Sequence, residues 1–198
     1  MTVILAAGDY PKKTSKAYTL LESATRVVAC DGAAKNYLND FAREPDVVVG
    51  DLDSIDASTL STFSNVFRIP DQDTNDLAKA IDFCRSKGWE DIVVLGASGK
   101  REDHAIANVF LALDKKVKLI SDYGTFFPVD DELELDCRLG QPVSIFATDP
   151  DTRVTSEGLA WPLDNHKFTT LYSATLNRTN AEKLRLKTDR PILVYIAL

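Results

Sequence analysis

The stretch RVVACDGAAKNYLNDFAREPDVVVGDLDSI, residues 26–55, decides how the chain folds. Arg26 to Cys30 and Asp46 to Gly50 are short, valine-rich apolar runs, and between them Ala33 to Phe41 carries a helical pattern. Such runs read as strands buried on both faces, and a helix linking two of them is the repeating unit of a parallel sheet. Each strand ends on an acidic turn, Asp31-Gly32 after the first and Asp51-Leu52-Asp53 after the second.

The rhythm continues outward. Further strands are predicted at Thr2–Ala6, Val66–Ile69, Asp91–Leu95 and Val117–Ile120, with helices at Thr74–Lys87 and Glu102–Leu113. Leu77, Ala80, Ile81 and Cys84 repeat at helical spacing in the first of these helices. After Tyr123 the pattern changes. Glu132–Asp136 alternates polar and apolar residues, and Val143–Ala147, Phe168–Tyr172, Lys183–Lys187 and Ile192–Ala197 follow as short strands between turns at Gly140, Pro142, Pro150 and Pro162. The expected fold is α/β: a Rossmann-like parallel-sheet domain over residues 1–123 and a smaller antiparallel β-sandwich over 124–198.

Composition bounds the function. Of 198 residues, 44% are hydrophobic and 27% charged, an ordinary globular balance. Thirty acidic against 23 basic residues leave a formal charge of −7, which argues against a broad nucleic-acid-binding face. No run approaches the roughly 20 apolar residues of a membrane span, and the start MTVILAAGDYPKK lacks the basic segment that opens a secretory leader. Cys30, Cys84 and Cys137 are odd in number, far apart and free of CxxC spacing, as expected of reduced thiols in the cytoplasm. With His104 and His166 as the only histidines, a zinc site is poorly supplied, and any metal is expected to be a hard, oxygen-seeking one.

Aspartate supplies 22 of the 30 acids, and between Pro45 and Asp76 seven aspartates face a single base, Arg68. Ligands of open α/β sheets bind at the carboxyl ends of the strands. Asp31, the pair Asp51 and Asp53, and the group Asp71, Asp73 and Asp76 each follow one predicted strand. Were these strands parallel neighbours, several carboxylates would converge on one crevice, which is costly unless a cation sits among them. Magnesium suits that place, because it joins carboxylate oxygens and waters to substrate phosphates. Local roles compete: Asp73 also suits a helix N-cap with Asp76 meeting the dipole, and Asp31 suits the N-cap of the helix that follows it. Strand alternation after Gly50 turns Asp51 and Asp53 to the same side, which favours a functional pair.

A fourth segment, LGASGKREDHAIAN at 95–108, is again strand, glycine-containing turn and helix start, where free N–H groups suit a phosphate. Lys100 and Arg101 add positive charge there, and Asp103 is a further possible metal ligand. Neither GxxxxGK[ST] nor GxGxxG is present. His104 and Asn108 lie one helical turn apart and suit a local packing or hydrogen-bond pair; Lys79 either meets a phosphate or pairs with Asp76.

Together the four segments resemble the successive motifs of the thiamine pyrophosphokinase family, DGG, GDxDS, DQxxTD with a following Lys, and GxxGGRxDH with a following Asn. Here they stand as Asp31-Gly32-Ala33, Gly50-Asp51-Leu52-Asp53-Ser54, Asp71-Gln72-Asp73-Thr74-Asn75-Asp76 with Lys79, and Gly96 to His104 with Asn108. The C-terminal part resembles the family's thiamine-binding sandwich at Gly158-Leu159-Ala160-Trp161-Pro162-Leu163 and at Ser173-Ala174-Thr175-Leu176-Asn177. The chain departs from the family pattern at Ala33 and Lys100, which replace glycines, at Asn75, which replaces Thr, and at Leu176, which replaces Ser.

The resemblance implies transfer of a pyrophosphoryl group from ATP, with Mg²⁺, to the hydroxyethyl arm of thiamine, releasing AMP. It implies Asp51, Asp53 and Asp76 as principal metal ligands, with Asp73 and Asp103 as further candidates, and Gln72, Lys79 and Arg101 on phosphates. Asp31, His104 and Asn108 join the same binding set. Thiamine is a cation with two aromatic rings, so Trp161 is the expected wall of its pocket, with Thr175 and Asn177 as polar contacts. A homodimer with the thiamine pocket shared between subunits is also implied. The alternatives are a related diphosphokinase acting on a pterin or another heteroaromatic alcohol, against which the C-terminal sandwich argues, and a catalytically silent thiamine or nucleotide sensor, suggested by the departures.

Overall fold

The structure, a computed structural model, describes residues 1–53, 55–71 and 73–198. It divides into two compact units, Met1–Leu111 with Leu119–Asp122, and Ala112–Lys118 with Tyr123–Leu198. The first unit runs β1 (Thr2–Leu5), α1 (Lys16–Glu22), β2 (Arg26–Cys30), α2 (Ala33–Phe41), β3 (Val47–Gly50), α3 (Ala57–Leu60), β4 (Val66–Arg68), α4 (Asp76–Ser86), β5 (Ile92–Leu95), most of α5 (Glu102–Asp114) and most of β6 (Lys118–Ile120).

β5, β1, β2, β3 and β4 pair in that order, all parallel, and β6 lies beside β5. The central strands β1, β3 and β5 are buried along their whole length, as their unbroken apolar sequence requires, whereas β4 at the end of the row is largely exposed. Val3, Leu5, Val27, Ala29, Val48 and Leu95 of the strands share one core with Leu21 of α1 and Tyr37 of α2. The chain leaves β1 on one side for β2, β3 and β4 and then returns on the other side for β5. This reversal makes the carboxyl ends of β1 and β5 a topological switch point, the usual place for a crevice. Two short helices carry too little periodicity to be read from apolar spacing and are marked by their caps instead. Ser15 Oγ accepts from Tyr18 N–H before α1, and Asp56 accepts from Thr59 N–H before α3.

The second unit adds β7 (Gly124–Val129), β8 (Glu132–Asp136), β9 (Pro142–Phe146), β10 (Arg153–Glu157), β11 (His166–Lys167), β12 (Ala174–Arg178), β13 (Lys183–Thr188) and β14 (Ile192–Ala197). They form two antiparallel layers, β12-β9-β14-β7 and β11-β10-β13-β8. Val143, Ile145, Ile192 and Val194 of one layer and Val154, Leu184 and Leu186 of the other bury into a common core with Leu159 and Phe168. This is the α/β fold with a C-terminal antiparallel sandwich. On the outward face Glu134 accepts from Arg185 and Lys183, which together hold its carboxyl down at about 2. Among the described residues no helix is long and apolar enough to cross a membrane.

One expected strand is corrected. Phe168–Tyr172 is not a strand: Phe168 is fully buried, Thr169 to Ser173 are all exposed, and Thr170 turns back to accept from Ser173. A run with one inward residue and no alternation cannot seat itself on a two-layer core, and the strand begins at Ala174 instead.

Gly158 opens the segment that leads to Trp161. Its φ of +85° is in the left-handed region, and a Cβ there would lie 2.1 Å from the Lys183 carbonyl oxygen. Gly158→Ala is therefore expected to cost about 2–3 kcal/mol of stability, seen as a lower midpoint in urea unfolding.

Candidate active site

Asp31 follows β2, Asp51 follows β3, and Asp76 is the first residue of α4 after β4. Because these strands are adjacent and parallel, the three carboxylates meet, with one oxygen from each within 4.8 Å of the others. Asp31 is 2% exposed and stands at φ +27°, while Asp51 and Asp76 are half-buried. Gly50 lies between them, where a Cβ would sit 3.3 Å from Asp31 Cβ and 3.4 Å from the Asp76 carboxylate. A side chain here would press the acids apart.

The N-cap readings of Asp31 and Asp73 do not describe this geometry. Gly32 is the N-cap of α2 and makes no side-chain cap bond, and Asn75 caps α4 through its Oδ1, which accepts from Ala78 N–H at 2.9 Å. Asp53, expected among the metal ligands beside Asp51, is exposed and stands outside the triad; its N–H donates to Asp51 Oδ1 at 3.2 Å. The reason is local. Extended backbone ends at Gly50 and Leu52 turns left-handed at φ +69°, so the alternation that would have aligned Asp51 with Asp53 is broken.

Asp51, Asp73 and Asp76 border a cavity of about 560 Å³ whose opposite wall comes from the turns after β1 and β5. That wall includes Ala6, Ala7 and Gly8, which motif reasoning did not single out; only the strand order, which puts β1 beside β5, brings them there. Gly8 N–H donates to Gly96 O at 2.8 Å and Asp9 N–H to Ser98 O at 2.7 Å, so the two turns are joined backbone to backbone. Lys79, Lys100, Arg101, His104 and Asn108 also line it. Gln72, expected on a phosphate, lies outside the described residues, as does Ser54 of the second motif.

Charge is arranged unevenly around this space. Lys79 is 5% exposed and its ammonium meets Asp76 Oδ1 at 3.2 Å, so the pairing with Asp76 is real and cavity-facing at once. Arg101 is gripped by Asp103 through two bonds of 2.9 and 2.6 Å, and these bonds hold the exposed Asp103 carboxyl well below the usual carboxylate range. Asp103 thus stands behind Arg101 rather than in the triad. Asp71, outside the cavity lining, accepts from Asp73 N–H and the Thr74 hydroxyl, which lowers its pKa and shapes the turn that carries Asp73. Cys30 also borders the cavity, but burial first and the Asp76 charge second push its thiol up, and its Sγ donates to Asp76 O at 3.6 Å. It supports the backbone of the triad and remains a thiol.

His104 and Asn108 both line the cavity, His104 exposed and Asn108 9% exposed. Asn108 Nδ2 donates to Ala97 O at 2.8 Å and its Oδ1 accepts from Asn75 Nδ2 at 3.2 Å. One side chain therefore ties the start of α4 to the turn after β5.

In the second unit Trp161 is 56% exposed, so it is not a core residue. Asn177, 6% exposed, accepts from Trp161 N–H at 3.2 Å and donates to Trp161 O at 2.8 Å. Its amide also accepts from Arg178 N–H at 2.9 Å, so it fixes the Trp161 backbone. The Arg178 guanidinium lies 5.3 Å from the centre of the indole. Thr175 donates its hydroxyl to Tyr172 O at 3.0 Å, and the adjacent Leu176 is 89% exposed at φ +64°.

Comparison with known proteins gives these features a family. Residues 17–121 match the family model described as thiamin pyrophosphokinase, catalytic domain, and residues 124–195 match the one described as thiamin pyrophosphokinase, substrate-binding domain. The chain belongs to the thiamin pyrophosphokinase family. The Oryza sativa protein named thiamine pyrophosphokinase 1 is 30% identical over 178 residues, covering 78% of this chain and 67% of its own. A Caenorhabditis elegans protein, thiamin pyrophosphokinase 1, is 27% identical over 96% of this chain and 86% of its own length. Among solved structures, a Lactobacillus plantarum protein superposes with a TM-score of 0.81 at 24% identity, covering 99% of this chain and 97% of the other. A thiamin pyrophosphokinase family protein from Enterococcus faecalis gives 0.80 at 18% identity, covering 100% and 98%. At these identities the two structures speak for the fold.

Asn108 ties two elements of this site together through its amide. Asn108→Ala is expected to cost about 1–3 kcal/mol, because it strands the Ala97 carbonyl and the Asn75 amide, and urea unfolding of the variant checks it.

Proposed function

We propose that the chain transfers the pyrophosphoryl group of ATP to the hydroxyethyl group of thiamine, giving thiamine diphosphate and AMP. The observation that supports this reading best is the meeting of Asp31, Asp51 and Asp76 beside a cavity also bordered by Lys79, Lys100 and Arg101. Carboxylates alone would suit a metal store, and cations alone an anion site. Both together, at the switch point of a parallel sheet, suit a metal-bound polyphosphate.

The donor set fits magnesium, since it consists of carboxylate oxygens close together with no competing sulfur or imidazole in the triad. Asp31, Asp51 and Asp76 would hold it, with Asp53 and Asp73 as outer partners; when bound, the ion would neutralise phosphate charge. The protein's own part is positioning and charge. Lys79 and Arg101 bind phosphate oxygens and offset charge on the departing AMP. Asp103 aims the Arg101 guanidinium, and Asn108 sets the spacing between the two turns that receive the nucleotide. His104 borders the same space. The hydroxyl of thiamine attacks the β-phosphorus and gives up its proton to a carboxylate of the site, and the bond from the β-phosphorus to the oxygen shared with the α-phosphate breaks, releasing AMP.

The second unit supplies the acceptor. Trp161 gives an exposed aromatic face for a cationic heteroaromatic, and Asn177 and Thr175 set the backbone around it. We read the whole as a cytoplasmic homodimer with the thiamine pocket at the subunit interface. The free thiols of Cys30, Cys84 and Cys137 support the compartment. Trp161, Tyr172 and Leu176, exposed at 56%, 66% and 89%, support a partner surface of the second unit.

Incubation with ATP, Mg²⁺ and thiamine is expected to release AMP in proportion to thiamine, and neither a pterin nor buffer alone is expected to replace it. Asp51→Asn is expected to lower that turnover about 100-fold or more with a melting temperature no lower than that of wild type, and Asp53→Asn to lower it less. Wild-type turnover in Asp51→Asn would remove the metal assignment. Trp161→Ala is expected to raise the thiamine KM about tenfold while leaving the ATP KM alone; a normal thiamine KM would take Trp161 out of the acceptor site.

A further inference from the structure

Lys100 occupies a backbone conformation that side chains rarely adopt. Its φ is +56°, and the turn is closed tightly by Arg101 N–H donating to Gly99 O at 2.7 Å. A residue other than glycine persists there when something else is gained, and such outliers gather at functional sites. The side chain shows what is gained. Lys100 Nζ crosses from the turn after β5 to the turn after β1 and donates to Ala7 O at 2.9 Å, on the lining of the cavity.

The cavity's described cations differ in how their charge is used. Lys79 is paired with Asp76 and Arg101 with Asp103. Lys100, exposed, meets a carbonyl oxygen, which orients an ammonium without neutralising it. An ammonium has three donors, so the bond to Ala7 leaves capacity for phosphate oxygens. Ala7 is a firm anchor, because Gly8 and Asp9 on its C-terminal side are bonded to Gly96 and Ser98.

We propose that Lys100 is a donor-binding residue of this chain, holding a polyphosphate oxygen of ATP with an ammonium oriented by the Ala7 carbonyl. The proposal rests on the reading of the cavity as the ATP site. It gives Lys100 a role separate from those of Lys79 and Arg101. Their cationic groups each meet a carboxylate, whereas its ammonium meets a carbonyl oxygen.

The test is titration of wild type, Lys100→Met, Lys100→Gly and Lys100→Arg with the non-transferable donor α,β-methylene ATP and Mg²⁺, and separately with adenosine. Lys100→Gly keeps the turn's preferred residue and so secures a folded comparison, checked by its melting temperature. Lys100→Met and Lys100→Gly are expected to bind the analogue about tenfold more weakly and adenosine within twofold of wild type. Lys100→Arg is expected to restore most of the affinity, and the thiamine KM to stay constant throughout. Unchanged analogue binding in Lys100→Met overturns the proposal, and so does an equal loss of analogue and adenosine, which would make Lys100 only a prop between two turns. Wild type that binds no analogue overturns both this proposal and the ATP reading of the cavity. Wild type that binds analogue but releases no thiamine-dependent AMP overturns the transfer reading alone, and the Lys100 comparison still decides this one.

Discussion

Three carboxylates held within 4.8 Å of one another repel, and the first unit is organised around tolerating that repulsion. Unit charges about 5 Å apart oppose each other by about 3 kcal/mol at an effective dielectric near 20, so a fold brings them together only with strong local support. The support is visible. Parallel pairing of β2, β3 and β4 sets the strand ends side by side, and Lys79 places a buried positive charge 3.2 Å from Asp76. The Cys30 thiol and the Asn75 cap hold the start of α4 from two directions. This arrangement is what the proposed function uses: three carboxylates suited to a hard cation, with Lys100 and Arg101 bordering the same cavity for an anion carried with it.

How much of this was legible in the chain depends on the range of each signal. The strands at Arg26–Cys30, Glu132–Asp136 and Ile192–Ala197 and the helix at Ala33–Phe41 coincide with their periodic patterns, because each pattern is set by burial of that segment's own faces. The acidic turns were equally plain. Membership of the triad was not, since it depended on one backbone angle: Leu52 at φ +69° turns Asp53 outward and leaves Asp31, one strand away, as the third partner. Ala6, Ala7 and Gly8 were hidden for a different reason. Nothing in AAGD announces a ligand, and the segment acquires a place at the cavity only through the β1–β5 pairing, a contact between residues about ninety positions apart. Phe168–Tyr172 has a β-prone composition without the alternation that would seat it on a core, so composition alone does not make it a strand.

The departures from the family's motifs look alike as letters and separate once the backbone is known. Ala33 lies in α2, 2% exposed, where alanine is a better helix former than glycine, so the change carries no penalty. Asn75 caps α4 and reaches Asn108 as well, two bonds from one short side chain. Lys100 and Leu176 are another matter, for both stand in the left-handed region at φ +56° and +64°, at a cost of roughly 1–2 kcal/mol each. None of the four removes a carboxylate from the triad or a cation from the cavity, so the departures give little ground for a silent sensor.

Leu176 shows what such a cost implies when no bond offsets it. Lys100 recovers part of its penalty through Ala7, but Leu176 is 89% exposed and presents an apolar side chain to water from a strained backbone. Exposure of single leucines is common, yet strain and exposure at one position are unfavourable twice over. The position becomes intelligible if its side chain is covered in the working assembly. Burying a leucine is worth about 1.5–3 kcal/mol, enough to offset the backbone term. Tyr172, four residues earlier, and Trp161 are exposed aromatics, and Asn177, next in sequence after Leu176, fixes the Trp161 backbone. In the proposed homodimer, cover over Leu176 would lie beside the proposed acceptor wall, and association of subunits and enclosure of thiamine would then be a single event in which apolar surface leaves water.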